Sequence, residues 1–523
     1  LPPGRHAGPA AQPTSSAMNM IARSTTFVVI LSALVMTAHA GGSLPDTRDD
    51  LTEKDRARVE KVTKPAGQFE KAERFERMAA GAATSTKRIN ADAFSHSSAN
   101  LEFEALERFL LGNGLFRKDW VSSPASTQAS DGLGPLFNAR ACQSCHIKDG
   151  RGHAPARVED SAVSLLVRVS VPPSKEQQEA IADGRLHAAP DPVYGLQLQD
   201  HAVAGLTPEG RVQITYEDVP VALSGGETVT LRRPVLGITE PGFGPFRDDL
   251  MLSARVAPPM IGLGLLESVH EADILAWADP DDEDGDGISG RPARVRDAQG
   301  EWRLGRFGWK AIAPTIAEQS AGAFSGDMGL SSPLAPDHWG DCTEAQTACR
   351  ALPHGAQERL GAEEVPEDLL DLVTFYSSHL AVPARRDIDD PQVLAGKKVF
   401  YESGCASCHR AKYVTRRDVD DPALRFQLIW PYTDMLLHDM GEDLADHRTE
   451  GLADGYEWRT PPLWGIGLTG TVNEEATFLH DGRARTLLEA VLWHGGEARA
   501  ARDRVVEMAK QDRDNLVRFL ESL

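Results

Sequence analysis

Two pentapeptides carry the chemistry of this chain. Cys142-Gln-Ser-Cys145-His146 recurs as Cys405-Ala-Ser-Cys408-His409. Cys-x-x-Cys-His is the pattern that attaches c-type haem: the thiols form thioethers to the porphyrin vinyl groups, and the adjacent histidine is held against the iron as an axial ligand. Zinc sites and thioredoxin-type pairs also use Cys-x-x-Cys. A zinc site must account for a histidine directly after each second cysteine, and a redox pair has no use for one. Four of the six cysteines fall in the two motifs, so two covalently bound c-type haems are expected. Cys342 and Cys349 remain, and in an oxidising compartment they are expected to form a local disulfide, the alternative being two free thiols.

His146 and His409 each supply one ligand, and the sixth position decides what each iron can do. A second strong ligand makes an electron-transfer haem, whereas an open position allows chemistry at the iron. For the second haem the candidate is His494. Thr486-Leu-Leu-Glu489 has the form of a capping box, and Leu487, Val491 and His494 share one face of the helix it opens, which Gly495-Gly496 ends. A histidine on an apolar face is also the ordinary pattern of a satisfied core residue. Met435, Met440, Met508 and His480 compete with it. For the first haem the nearest candidate is His153, and the alternative is an open site.

The stretch Gly305 to Gly329 contains Arg306-Phe-Gly-Trp309, a second capping box at Thr315-Ile-Ala-Glu318, then Gln319 and Asp327-Met328. Trp309 reads as an electron bridge or as a large core residue. Asp327 reads as a general acid and base for peroxide cleavage, if it sits over an open iron, or as an exposed loop carboxylate. In Asp279–Gly290, Asp282, Asp284 and Asp286 occupy positions 1, 3 and 5 of an EF-hand-like loop with Gly287 at position 6. The glutamate expected at position 12 is replaced by Ala293. Calcium and a solvated acidic turn both remain open readings.

The elements that must position these residues come from the rest of the 523-residue chain, long enough for two or more domains. A net charge of −22 argues against nucleic acid and anionic membrane surfaces, which call for a basic patch, and leaves a redox protein as a partner. Arg23, the apolar run Phe27 to Met36 and Ala38-His39-Ala40 read as a secretory signal spanning residues 1–40 together with upstream residues 1–17, the start falling at Met18 or Met20. The apolar run is too short to span a bilayer. A periplasmic protein with no integral membrane segment after cleavage is therefore expected.

Residues 41–95 form a polar N-terminal arm with a helical piece around Asp55 to Ala80. Leu101 to Leu111 predicts an amphipathic helix with Phe103, Leu106, Phe109 and Leu110 on one side, ended by Gly112-Asn-Gly114. Residues of about 155–260 form an insertion with short strands at Ser164–Val171, Arg211–Tyr216 and Glu227–Arg232. Asp390-Pro391 caps the helix leading into Cys405. Leu372-Val-Thr-Phe375 and Leu516-Val-Arg-Phe519 mark similar helices after each motif. The expected fold is mainly α, with two cytochrome c-like domains, residues 96–385 carrying the β-rich insertion and residues 386–523.

Together, Gly134 to Gly152, Asp279 to Arg291, Gly305 to Pro333 and Arg459 to Gly496 resemble the bacterial di-haem oxidoreductase family, whose members carry the names peroxidase and thiol oxidoreductase. The resemblance covers roughly residues 95–523. That family is similar to the di-haem cytochrome c peroxidases, in which a Phe-Trp segment places a Trp between the haems, a Gln follows ten residues later, and a catalytic Glu-Met comes after that. Trp309 and Gln319 have this spacing. Asp327-Met328 stands where Glu-Met would be, two residues early. The relatives' second-haem distal Met follows a His-Asp-Gly histidine by fourteen residues, and His494 lies at that distance from His480. The resemblance thus implies His494 as a ligand, His480 in a structural role, and Trp309, Gln319 and Asp327 as catalytic residues.

The preferred function is an exported di-haem oxidoreductase of peroxidase type. Electrons from a redox protein would enter at the second haem, cross near Trp309, and reduce H2O2 or a similar small oxidant at the first. The rival is a di-haem electron-transfer cytochrome with no small-molecule substrate.

Overall fold

Each Cys-x-x-Cys-His motif follows a helix that crosses a later helix on a glycine. Phe103–Phe116 precedes the first motif and packs against Glu367–Ser378, and Pro391–Glu402 precedes the second and packs against Lys510–Ser522. A Cβ on Gly112 would overlap the Leu372 carbonyl and the Tyr376 side chain, and one on Gly396 would overlap the Asn515 carbonyl and Phe519. Only a residue without a Cβ allows these backbones to approach so closely. Asp390 caps the third of these helices by accepting from Gln392 N–H at 2.8 Å, with Pro391 in its first turn.

These relations come from a computed structural model that describes residues 47–523, apart from 158, 159, 161, 162, 358 and 360. The expected signal segment, with Arg23, Phe27 to Met36 and Ala38 to Ala40, lies outside the described residues, as do residues 1–17.

Several expected boundaries move. The first helix runs through Gly112-Asn-Gly114 to Phe116, because Gly112 is a packing contact and Phe116 is buried beyond it. Its buried stripe is Phe109, Gly112 and Phe116, while Phe103, Leu110 and Leu111 face outward, so the expected apolar side is only partly the packed one. The helix expected over Asp55 to Ala80 is Glu53–Thr63, capped by Thr52 and halted at Lys64, where the following Pro65 disfavours helical backbone. The described part of the 41–95 arm is docked, not free. Arg48 is buried and donates to Asp50 and Asp273. Glu73 and Glu76 receive Lys397 Nζ at 2.9 Å each, and Glu76 also pairs with Arg385.

The insertion holds two antiparallel pairs. Leu165–Ser170 pairs with Met251–Val256, and Arg211–Ala222 pairs with Thr228–Thr239 in a hairpin far longer than the strands expected there. This hairpin lies against the C-terminal segment. Arg232 donates to the Gly482 and Arg483 carbonyls at 3.0 and 2.9 Å, Arg513 reaches Ser224 O and Glu227, and Leu223 and Leu231 pack with Leu444 and Trp493. Such contacts join the expected 96–385 and 386–523 segments within one compact unit.

Helix exceeds strand and every sheet among the described residues has only two strands, but helix covers a minority of the residues, so the fold has small sheets as expected without being clearly mainly α. Cys342 and Cys349, the two cysteines outside the motifs, form the expected local disulfide. Among the described residues no helix is long and apolar enough to cross a membrane.

The glycine crossings generate a test. Gly396→Ala is expected to destabilise the haem-loaded protein by about 1–3 kcal/mol through overpacking. Gly114→Ala, in open space two residues beyond the other crossing, is expected to be neutral or stabilising by up to about 1 kcal/mol. Urea denaturation of the two variants side by side measures the difference.

Candidate functional site

Both motifs open into the same cavity, of about 560 Å3, whose wall includes Cys142, Cys145, His146, Cys405, Cys408 and His409. The first motif is a single helical turn, Cys142–Cys145, with His146 as its C-cap. The second is a 3-10 turn, Cys405–Ser407. His146 Nδ1 lies 2.8 Å from Pro258 O, and His409 Nδ1 lies 3.0 Å from Tyr432 O. His494 lines the same cavity, its Nδ1 2.8 Å from Ala490 O. A ring that donates Nδ1–H to a carbonyl keeps the Nε2 lone pair for a metal.

Burial lowers His146 to about 4 and lowers His494 as well, and burial together with the neighbouring His494 lowers His409 to about 4. All three imidazoles are therefore neutral at physiological pH, the form that ligates. Burial pushes the Cys142 and Cys405 thiols up to about 12, unlike the activated thiolate of a redox pair.

Trp309, Gln319 and Asp327 line the cavity too. Trp309 is buried and donates Nε1–H to Val256 O at 2.9 Å. Its ring meets His480 edge-on at 6.4 Å, and His480 stacks face to face on Trp458 at 3.7 Å. Burial lowers His480 to about 3. Gln319 stands near the start of the helix Ile316–Met328, which Thr315 caps, and Asp327 stands in its last turn.

The Asp327 carbonyl receives Asn138 N–H at 2.8 Å and Ala139 N–H at 3.1 Å, which joins this turn to the loop that feeds Cys142. Its carboxylate accepts from Gln197 Nε2 at 2.9 Å. Burial raises the Asp327 carboxyl above its usual range, and Arg168 opposes the shift. Asp327 is thus a wall residue and not an exposed loop carboxylate. A charge on it would raise the Cys142 and Cys145 thiols further, so it lies on the side of the first motif.

Other expected residues fall elsewhere. His153 is not part of the cavity wall; its Nε2 faces Glu475 at 3.3 Å. Met435 and Met508 also lie outside the wall, whereas Met440 and His480 line it. In the acidic loop the carboxylates that come within 4.8 Å of one another are Asp279, Asp282 and Asp284. Asp286 instead accepts from Ile288 N–H at 2.8 Å and faces the cavity.

Several wall residues carried no sequence signal. Arg151 donates to the Thr477 and Leu479 carbonyls, and Arg459 to the Gly308 and Thr460 carbonyls. Burial lowers each guanidinium to about 10, and among the described residues neither has a carboxylate within ion-pair distance. Beside Cys408, His438 is held between Asp434 at 2.9 Å and Glu497 at 2.6 Å. Burial would lower it, but Asp434 more than offsets this and holds it well above the usual range.

Under Trp458 lies a buried charge network. Arg255 reaches Asp446 at 3.0 Å and Glu450 at 2.9 Å, Arg448 reaches Glu450 at 2.7 Å, and Lys310 reaches Asp446 at 2.8 Å. Arg255 and Lys310 both lie 4.7 Å from the Trp458 ring.

Two Cys-x-x-Cys-His segments facing one largely apolar, arginine-bearing cavity define a protein built around two redox centres. Residues 76–523 match the family described as "Di-haem oxidoreductase, putative peroxidase", and the chain belongs to that family. No curated protein matches it. Among solved structures, Kuenenia stuttgartiensis hydrazine synthase pressurised with 20 bar xenon is similar at 21% identity over 31% of this chain, with a TM-score of 0.22; the match spans 57% of that structure's chain.

The residues present fit haem. The cavity offers apolar walls, neutral imidazoles with Nε2 free, and the buried guanidiniums of Arg151 and Arg459, whose uncompensated charge calls for an anion such as a haem propionate.

The charge network sets the pH response of this wall. Burial would raise Glu450, but Arg448 and Arg255 hold it well below the usual carboxylate range. Its contribution to stability is therefore complete above the unfolded value of about 4.3 and is lost as pH falls through the lower folded value. Glu450→Gln is expected to cost about 3–5 kcal/mol at pH 7 by leaving the guanidiniums unpaired. The gap from wild type should narrow on acidification below about pH 4. Denaturation curves from pH 7 to pH 3 check both points.

Proposed function

We propose that this chain is an exported c-type di-haem oxidoreductase of peroxidase type, which reduces H2O2 or a similar small oxidant with electrons from a redox protein. In this reading residues 96–385 and 386–523 are cytochrome c-like halves, each built on one glycine helix crossing. Cys142, Cys145 and His146 hold one haem. Cys405, Cys408 and His409 hold the other, with His494 as its second axial ligand. Bound haem would supply the iron site and the store of electrons.

The chain's own contribution is proton supply. Reduction of H2O2 takes two electrons and two protons and yields two waters. Asp327 is the observation that carries the reading. Its carboxyl is half-buried and desolvated in the cavity wall on the side of the first motif, raised towards the protonated form, and oriented by Gln197. A pure electron carrier has no need of a proton-holding group in that position. The absence of His153 from the wall also favours a free sixth position on the first haem over ligation by that residue. Gln319 is assigned to orienting the oxidant, and Trp309 to the aromatic path along the cavity. If the acidic loop holds calcium, Asp279 replaces Asp286 in the ligand set, because it is Asp279 that approaches Asp282 and Asp284.

Cys145→Ala is expected to lower covalent haem from two to one per chain, read from haem-stained denaturing gels and pyridine haemochrome content; unchanged content would remove the thioether assignment. Asp327→Asn is expected to slow peroxide turnover about 10²–10⁴-fold. In the wild-type protein, electron paramagnetic resonance before and after one-electron reduction should reveal a high-spin iron together with peroxide consumption. Two low-spin, peroxide-inert haems in both states would establish the electron-transfer alternative and withdraw the role of Asp327.

A further inference from the structure

Asp327 is held by a closed ring of hydrogen bonds that runs through two buried amides, Asn138 and Gln197. Asn138 N–H donates to the Asp327 carbonyl at 2.8 Å. Gln197 Nε2 donates to the Asp327 carboxylate at 2.9 Å and to Asn138 Oδ1 at 2.7 Å, and it lies 3.1 Å from Gly326 O. Asn138 Nδ2 in turn donates to Leu198 O and to the Asp200 carboxylate, at 2.9 Å each. The antiparallel pair Leu136–Phe137 and His201–Ala202 sets up this meeting, because its register continues to Asn138 opposite Asp200.

The direction of each amide follows from its neighbours. A carbonyl and an ionised carboxylate can only accept, so Asn138 turns its NH2 towards Leu198 and Asp200 and its Oδ1 towards Gln197. Gln197 then faces Asn138 Oδ1, Gly326 O and the Asp327 carboxylate, and it presents its NH2 to all three. A flipped Gln197 would set its own oxygen against two acceptors. Its Oε1 is left buried without a partner among the described residues, an orientation that costs stability and is imposed by the ring. An NH2 can only donate, so it favours the Asp327 anion, against the desolvation that favours the neutral carboxyl.

We propose that Gln197 and Asn138 are positioning residues for Asp327: they keep an N–H donor on its carboxylate, so that its proton is released towards the oxidant and the anion left behind is held. This rests on the peroxidase reading of the cavity. The Asp327 O–H bond breaks, and its proton, one of the two that H2O2 consumes, passes to the departing oxygen. The two electrons come from the redox protein. A flipped amide would accept from the carboxyl and retain the proton. Arg168, from the strand Leu165–Ser170, also faces Asp327, and its charge favours the anion. The Cys142 and Cys145 sulfurs face it from the first motif and do not titrate once joined to haem. Asp341 meets Gln197 at its backbone N–H, at 3.0 Å, and Asp200 meets Asn138.

The test reads Asp327 directly, by infrared titration of its carboxyl band in the haem-loaded chain without peroxide. The band is identified by its loss in Asp327→Asn. Gln197→Met removes the donor and should raise the titration midpoint by about one unit. Asn138→Ala should raise it by less, since Gly326 O still holds Gln197. Gln199→Met is the control. That buried amide reaches Gly326 O at 2.8 Å and no carboxylate, so its loss should leave the midpoint in place. Haem content shows that each variant is folded, and either Gln197→Met or Asn138→Ala alone decides the matter if the other fails to retain haem. In peroxide turnover, where Asp327 acts in its protonated form, the alkaline limb of the kcat profile should move to higher pH in Gln197→Met with KM unchanged. A midpoint that stays in place in the folded variants, or an equal shift in Gln199→Met, would overturn the proposal. A shifted midpoint in a protein that consumes no peroxide would withdraw the peroxidase reading and leave the hold on Asp327 standing.

Discussion

Keeping imidazoles neutral and aimed inside an apolar space constrains much of this structure. His146, His409 and His494 are half-buried in the cavity wall, where desolvation suppresses protonation, and each has its Nδ1 against a backbone carbonyl. Two of those carbonyls belong to residues far from the ring they orient: Pro258 is contributed to the first motif across the whole insertion, and Tyr432 to the second from beyond a long loop. The chain must therefore bring remote segments to each histidine before the ring has a fixed direction. The same low-dielectric wall makes every charge in it expensive unless partnered, which accounts for the Arg255, Arg448, Glu450, Asp446 and Lys310 network behind Trp458.

The family assignment and the geometry speak to different questions. Membership of the di-haem oxidoreductase family fixes the class of protein, while activity has to be argued from the site. What distinguishes this wall is a carboxyl biased towards holding its proton, Asp327, close to thiols whose own ionisation is suppressed. The aromatic series Trp309, His480 and Trp458 shares that wall, flanked by the guanidinium of Arg255 and the ammonium of Lys310.

Local chemistry was legible in the sequence, and long-range partnership was not. The two Cys-x-x-Cys-His segments announce themselves because attachment chemistry demands five consecutive residues. The disulfide was legible from two leftover cysteines seven residues apart. Gly112 was misread because a glycine that stops a helix and one that admits a neighbour look alike until the neighbour is known. Gln197 and Arg151 gave no signal, since their meaning depends on Asp327 and on carbonyls more than a hundred residues away. His153 was a candidate only through nearness in sequence, and nearness in sequence does not determine which way a side chain faces.

The hairpin Arg211–Thr239 has a consequence for the order of assembly. A chain made from its N-terminus presents Cys142 and Cys145 early, yet the cavity that encloses them is completed by Trp458, Arg459 and His480. The hairpin in turn finds its partners only at residues such as Gly482, Trp493 and Arg513. Contacts of such sequence separation form late and slowly. Until those contacts form, the first pair of thiols lacks the wall that desolvates it in the folded chain.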